Sequence, residues 1–204
     1  MKERGMIFNA EMVRAILDGR KTQTRRPIKW KQTRFTEIAE RDDGSLWPWA
    51  EDCERGGDIW FACPYGEIGD RIWVRETFRV HSRATDVATL VYRASVRNSW
   101  TEQTHRVPVA VCNKPATPEK WTPSIHMPRW ASRITLEITD VRVERLNSIT
   151  ESDAEAEGVT DTGFGDLLVD GFRYLWKSIY GDDSWQANPW VWVIEFKRVE
   201  GGAA

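Results

Sequence analysis

The segment Pro189-Trp190-Val191-Trp192-Val193-Ile194-Glu195-Phe196 is apolar on both faces at its start, and no other stretch constrains the fold as tightly. A strand buried on both faces is an interior strand of a sheet, with other strands beside it and layers above and below. Candidates for the remaining strands follow from alternation. Met6-Ile7-Phe8 reads as a short strand, 71–78 as a strand with Ile72 and Val74 inward, and 88–94 as one centred on Leu90, Val91 and Tyr92. The longest alternating run, 132–146, carries Ile134, Leu136 and Ile138 on one face and resumes at Val141 and Val143 after Thr139-Asp140, which predicts a long bent or bulged strand.

Three helices are marked by their ends. Asn9 is an N-cap for a helix whose Met12, Val13, Ile16 and Leu17 fall one turn apart, and Gly19 stops it. Thr150-Glu151-Ser152-Asp153 has the capping-box pattern and opens a short helix that Gly158 ends. Residues 164–180 repeat apolar positions at Leu168, Phe172, Leu175, Trp176 and Ile179 before Gly181, and form the longest helix. Residues 42–65, rich in Gly, Pro, Asp and Trp without a period, read as a long loop or insertion. The stretch 113–129, with Pro115, Pro118, Pro123 and Pro128, reads as a loop held down by its aromatics and Met127. The expectation is an α+β, barrel-like fold in one domain of 204 residues, without internal repeats.

Composition excludes several function classes. With 41% hydrophobic residues the chain can bury a core, yet no run approaches the roughly 18 apolar residues of a membrane helix. The apolar start is too short for a signal peptide, so a cytoplasmic protein with no membrane partner is expected. Cys53, Cys63 and Cys112 are an odd number without Cys-x-x-Cys spacing, the pattern of reduced thiols. His81, His105 and His126 are scattered, so no metal site is expected, and neither a Walker loop, a Gly-x-Ser-x-Gly elbow nor a Gly-x-Gly-x-x-Gly turn is present. No cofactor is expected.

The net charge of −2 hides a segregation. Residues 1–34 hold ten Lys and Arg against three acids, whereas 148–170 hold seven acids and no Lys or Arg. The acidic stretch reads by default as a solvated face. In the basic one, Arg20-Lys21-Thr22-Gln23-Thr24-Arg25-Arg26 packs four cations and two hydroxyls into seven residues, a donor set suited to a phosphate or a nucleobase edge. This run alternates and is closed by Pro27, so it is expected to be an extended strand or loop, with Lys21, Gln23 and Arg25 on one side and Thr22, Thr24 and Arg26 on the other; a path less regular than a strand still lets Lys21 and Thr24 converge on one pocket. Of twelve tryptophans, Trp176, Trp190 and Trp192 sit at periodic core positions. Trp30, Trp47, Trp49, Trp100, Trp121 and Trp130 lie in loop-like sequence, where a ring either anchors a loop or stacks on a base.

A hydroxyl, an amine and a carboxylate suffice for acyl transfer if they meet: the Thr24 Oγ attacks, a neutral Lys21 or an ionised Glu157 takes its proton, and a cation holds the oxyanion. Charge patterning alone also accommodates a basic surface loop and a solvated acidic helix.

Ile16-Leu17-Asp18-Gly19-Arg20-Lys21-Thr22-Gln23-Thr24-Arg25-Arg26 resembles the signature of the ASCH domain, a branch of the PUA-like superfamily of small β-barrels. The run from Leu146 to Gly158 resembles that family's later helix, which ends in a Glu, and the closing strand from Trp190 resembles its last barrel strand. The resemblance implies a PUA-like β-barrel with flanking helices, here a single domain over 1–204 with an insertion at about 42–129. The small N4-acetylcytidine amidohydrolases of this family share Gly-Arg-Lys-Thr-x-Thr. That comparison implies Lys21 as base, Thr24 as nucleophile and Glu157 as acid/base partner, with Glu155 two residues away as the competing carboxylate. Arg20, Arg25, Arg26 and Trp130 are the residues expected to bind substrate or phosphate. The stretches Gly69-Asp70-Arg71-Ile72-Trp73-Val74-Arg75-Glu76 and 123–134 are similar to phage and prophage ASCH proteins. The partner expected is a nucleoside or RNA, and the activity removal of an acyl group from N4-acylated cytidine. A non-catalytic RNA or modified-base binding module and a ribonuclease are the other functions the family implies.

Overall fold

The N-terminal helix begins where its cap predicts: the Asn9 side chain accepts the Met12 N–H at 2.8 Å, and Gly19 leaves the helix at φ +77°. The computed structural model describes residues 1–29, 37–160 and 167–199. Trp30, Lys31, Arg34, Asp161, Phe164 and Asp166, on which expectations fell, lie outside the described residues. In chain order the elements are β1 (Glu3–Ile7), α1 (Ala10–Leu17), β2 (Gln23–Pro27), β3 (Glu37–Glu40), β4 (Leu46–Glu51), β5 (Asp58–Trp60), β6 (Arg71–Arg75) and β7 (Phe78–Arg83). They continue with β8 (Val87–Tyr92), α2 (Trp100–Gln103), β9 (Thr104–Pro108), β10 (Thr135–Arg145), α3 (Glu151–Ala156), α4 (Leu168–Tyr180) and β11 (Trp190–Arg198). The mixture is α+β, as expected.

The chain forms two compact units. The first comprises Met1–Gly19, Asp70–Glu137 and the C-terminal residues from Lys197. In it β1 runs parallel to β6, from Glu3 opposite Arg71 to Ile7 opposite Arg75, and β6 pairs antiparallel with the first residues of β10. Ile72, Val74 and Leu136 of these strands are almost fully buried, which matches their inward assignment. A second sheet, β7-β8-β9, is antiparallel and packs Phe78, Val80, Leu90, Tyr92 and Val107 with Met127 and Ala131. Met127 is 2% exposed and anchors the proline-rich loop. Strand β9 and helix α2 were not anticipated, because Thr104-His105-Arg106 carries no apolar alternation.

The second unit comprises Arg20–Gly69 and Ile138–Phe196. Here β11 lies between β10 and β2 and is antiparallel to β2, with Val191 opposite Pro27 and Glu195 opposite Gln23. Val191, Trp192, Val193 and Ile194 are all nearly inaccessible, so the two-faced apolar run is an interior strand. On one side Val191 and Val193 pack with Leu146, Ile149, Ala154, Phe172 and Trp176. Trp47 meets the other side, its ring edge-on to Trp192 at 5.1 Å.

Two sequence expectations change. The stretch 42–65 is not a long loop, since it contains β4 and β5, which form an antiparallel sheet with β3. The turn between β3 and β4 is made by Asp43-Gly44-Ser45: Gly44 takes φ +80°, and the Asp43 carboxylate accepts the Ser45 N–H at 2.9 Å. Arg41 then lies over the Trp47 ring at 4.2 Å, an interaction that apolar counting does not register. The second is the strand expected over 71–78, which ends at Arg75, with β7 beginning at Phe78; β10 is the long strand expected, continuous through Thr139-Asp140.

Candidate functional site

All the charged groups that converge at the site lie in the second unit. Strand β2 is held by β11, and the residues before it are held by the end of α3. The Thr22 carbonyl accepts the Phe196 N–H at 2.8 Å, and the Thr22 N–H donates to the Ala156 carbonyl at 2.8 Å. Helix α3 opens with the predicted box, in which Thr150 Oγ1 accepts the Asp153 N–H and Asp153 Oδ2 accepts the Thr150 N–H. It closes at Glu157, and Gly158 turns away at φ +88°. The short helix therefore presents Glu157, which is 3% exposed, while Glu155 faces solvent. This settles which of the two carboxylates faces inward.

Lys21 forms an isolated bridge with Glu157. Its ammonium donates to Glu157 Oε2 at 2.5 Å, to the Glu157 carbonyl at 2.9 Å and to the Gln23 carbonyl at 2.7 Å. Three protons meet three acceptors, and the cation sits at the C-terminal carbonyl end of α3, where the helix dipole favours it. Burial pulls the Lys21 amine below the ordinary lysine range; the neighbouring Glu157 opposes this, while Arg26 and Arg25 add to it. A proton thus lies between an amine weakened by desolvation and a carboxylate 2.5 Å away.

Arg25 follows on the same face of β2 as Gln23, with its side chain wholly buried. It is paired with Glu144 Oε2 at 3.1 Å and Asp153 Oδ2 at 3.3 Å. Its Nη1 lies 3.6 Å from Glu157 Oε1, and neither of these two buried atoms has a hydrogen-bond partner among the described residues. Arg142 extends the cluster by pairing with Asp140, Glu144, Asp153 and Glu195. Burial pushes the Asp153 carboxyl up, but hydrogen bonds from Thr150 and Gln23 and the Arg25 charge together hold it below the usual range. Arg142, Glu144, Asp153 and Glu195 were missed as site residues. One signal was readable: Asp140, Arg142 and Glu144 alternate along β10 with Val141 and Val143, a charged strand face opposite an apolar one.

The remaining predicted residues fall as follows. Thr24 is 1% exposed, pairs in register with Ile194, and points by strand alternation to the face opposite Gln23 and Arg25. Its hydroxyl is not among the three acceptors of Lys21. Arg26 is half-buried and lies on the Thr24 side of β2, where its charge acts on the Tyr65 hydroxyl. Exposed Arg20 donates to the Gly158 carbonyl at 2.9 Å. Trp130 belongs to the first unit, where it packs edge-on against Phe78 at 6.3 Å. Among the described residues no group of His, Cys, Asp and Glu is arranged to hold a metal ion, and no helix is long and apolar enough to cross a membrane.

No family model matches the chain, and no curated protein does. Among solved structures it is similar to an ASCH domain from Lactobacillus crispatus JV V101, at 12% identity over 97% of this chain and 79% of that one, with a TM-score of 0.42. It is similar to the same degree to a protein from Enterococcus faecalis V583 of the family DUF984, at 12% identity over 98% of this chain and 80% of that one, with a TM-score of 0.42.

Proposed function

We propose that the second unit is an ASCH-type hydrolase site that cleaves the amide of an N4-acylated cytidine. The observation that supports this most directly is the pair of buried, unpartnered atoms Arg25 Nη1 and Glu157 Oε1, 3.6 Å apart, beside the Lys21–Glu157 proton. A donor next to an acceptor complements the edge of an N4-acylated cytosine, where ring N3 accepts beside the N4–H. A base seated there would accept from Arg25 at N3 and donate its N4–H to Glu157.

The resemblance in sequence makes Thr24 the nucleophile. The Thr24 oxygen bonds to the acyl carbon and Lys21, as the neutral amine, takes its proton. The C–N bond breaks as protonated Glu157 delivers a proton to N4, and water then releases the acyl group from Thr24 as a carboxylic acid. The placement of Thr24 across β2 from Arg25 favours a second reading, in which water attacks directly and Lys21 and Glu157 carry its proton. Both readings make the base and its acyl group, rather than a phosphate, what the cluster recognises. Lys21 and Arg25 are already committed to carboxylates, and the three cations Lys21, Arg25 and Arg142 stand among five acids.

The test is incubation of wild type, Thr24→Ala and Glu157→Gln with a panel of N4-acylated cytidines, with products read by mass spectrometry. Cytidine released by wild type and lost in both variants supports the Thr24 route; activity retained in Thr24→Ala but lost in Glu157→Gln supports direct attack by water. Intact nucleosides with every protein overturn the hydrolase, and cleavage of a structured RNA in the same assay would replace it with a ribonuclease.

A further inference from the structure

The first unit holds a cavity that the hydrolase reading does not use. It lies where β1 and β6, which run parallel, both end. The chain leaving β1 is tied to the end of β6 by the Phe8 N–H, which donates to the Arg75 carbonyl at 3.2 Å, and then enters α1. The chain leaving β6 continues through Glu76 and Thr77 into β7. Two bonds bring the segment after β8 to the same place: the Arg93 N–H donates to the Thr77 carbonyl at 3.0 Å, and Arg14 of α1 donates to the Ala94 carbonyl at 3.3 Å. The cavity has a volume of about 360 Å³, inside the roughly 300–1,000 Å³ of small-molecule sites, and a crevice beyond the carboxyl ends of parallel strands is a common place for one.

The lining is selective in charge. Ile7, Phe8, Ala10 and Ala94 make its apolar part, and Glu76 and Arg93 are its two ionisable residues. Glu76 is 2% exposed, and each of its carboxylate oxygens already accepts from Arg133, at 2.9 and 3.0 Å. Arg93 is exposed, and among the described residues its guanidinium has neither an acidic nor a hydrogen-bonding partner. The Thr77 and Ser124 hydroxyls, also on the lining, have no partner among the described residues either.

We infer that this cavity binds a small monocarboxylate with an apolar body. The carboxylate pairs with the planar fork of Arg93 and takes further hydrogen bonds from Thr77 and Ser124, while the body rests against Phe8 and Ala94. A phosphate monoester would bring a second negative charge beside the Glu76 carboxylate with no second free cation to meet it. An ammonium ion would face the uncompensated Arg93 charge and find both Glu76 oxygens engaged.

The experiment is isothermal titration calorimetry of the full chain at about pH 7.5, as wild type, Arg93→Gln and Ala10→Leu, with phenylacetate as the probe. Phenyl phosphate, doubly charged at that pH, and phenethylamine keep the ring and change the charge. Arg93 is exposed and Ala10 half-buried at the start of α1, so circular dichroism is expected to match wild type in both variants. Phenylacetate should bind wild type. Arg93→Gln should weaken it about tenfold by removing the charge-assisted bonds, and Ala10→Leu, which enlarges a lining side chain, by a similar factor. Phenyl phosphate should bind more weakly than phenylacetate, and phenethylamine should give no saturable heat. Absence of phenylacetate binding to wild type, a folded Arg93→Gln with unchanged affinity, or phenyl phosphate binding more tightly than phenylacetate overturns the inference. No turnover is read, so the outcome is separate from that of the hydrolase.

Discussion

Replacing either partner of the buried Lys21–Glu157 pair should expose an asymmetry that the hydrogen bonds dictate. In Lys21→Met the carbonyls of Gln23 and Glu157 lose their donor, and the Glu157 carboxylate is left with Arg25 at 3.6 Å. Breaking a buried pair by removing one member costs about 3–5 kcal/mol, because the charge left behind is uncompensated. In Glu157→Gln the amide oxygen still accepts from the ammonium and both carbonyl bonds remain. The loss there is the difference between a charged and a neutral acceptor, about 1–2 kcal/mol. Lys21→Met should therefore be the less stable by about 2 kcal/mol, measured as the shift in urea midpoint at a common slope, with Trp176 and Trp192 fluorescence reporting on the second unit. The sign of the pH dependence also follows. The folded-state pKa of Lys21 is lowered, so the folded protein binds fewer protons than the unfolded chain, and wild-type stability rises as pH climbs toward the ordinary lysine value of 10.5. Glu157→Gln removes both opposing contributions of Glu157, which lowers the amine further and starts that rise at lower pH. A Glu157→Gln variant as unstable as Lys21→Met, or more so, would refute the assignment of three satisfied protons to Lys21.

Two further outcomes are expected from the first unit. Glu76 is 2% exposed and is held by Arg133 through bonds of 2.9 and 3.0 Å, and burial raises its carboxyl pKa despite that partner. Removing Arg133 in Arg133→Met raises it further, so the destabilisation should be smaller near pH 4.5, where the bonds to Ser95 and the Glu102 carbonyl are still lost, and grow toward pH 8, a trend that urea midpoints at the two pH values would reveal or deny. Gly5 lies against Trp73, and a Cβ there would meet the indole Cζ2 at 2.6 Å and Arg75 Cδ at 2.9 Å. Gly5→Ala should cost about 1–3 kcal/mol by overpacking β1 on β6, and a thermal midpoint equal to wild type would contradict that contact.

Three of the four α-helices, α1, α3 and α4, were legible because their signals are local. Asn9 and Gly19, Thr150 and Gly158, and Gly181 each act within one turn of chain, through a side-chain cap or a positive φ. The apolar alternation of β6, β8 and β10 was equally readable, since burial on one face imposes a period of two. The sheet made by β3, β4 and β5 was not, because its short strands rest on tryptophans, a Pro and an Arg41 cation over indole rather than on an aliphatic pattern. Within the site, the resemblance named Lys21, Thr24 and Glu157, but the spacing offered no reason for them to meet.

The amino-acid order alone settles where α1 and α3 start and stop and where α4 stops, which strand is buried on both faces, and that a Lys-x-x-Thr run precedes an acidic helix, because each of these depends on neighbours within a few residues. The tertiary structure decides the chemistry. Lys21 and Glu157 are separated by 136 positions and become hydrogen-bonded only when β2 is held between β11 and the last turn of α3. Arg25 reads in sequence as a phosphate-binding cation and in the fold as a buried counter-ion to three carboxylates. Long-range electrostatics inside a protein depend on distance and burial, and a linear sequence specifies neither until the sheet has formed.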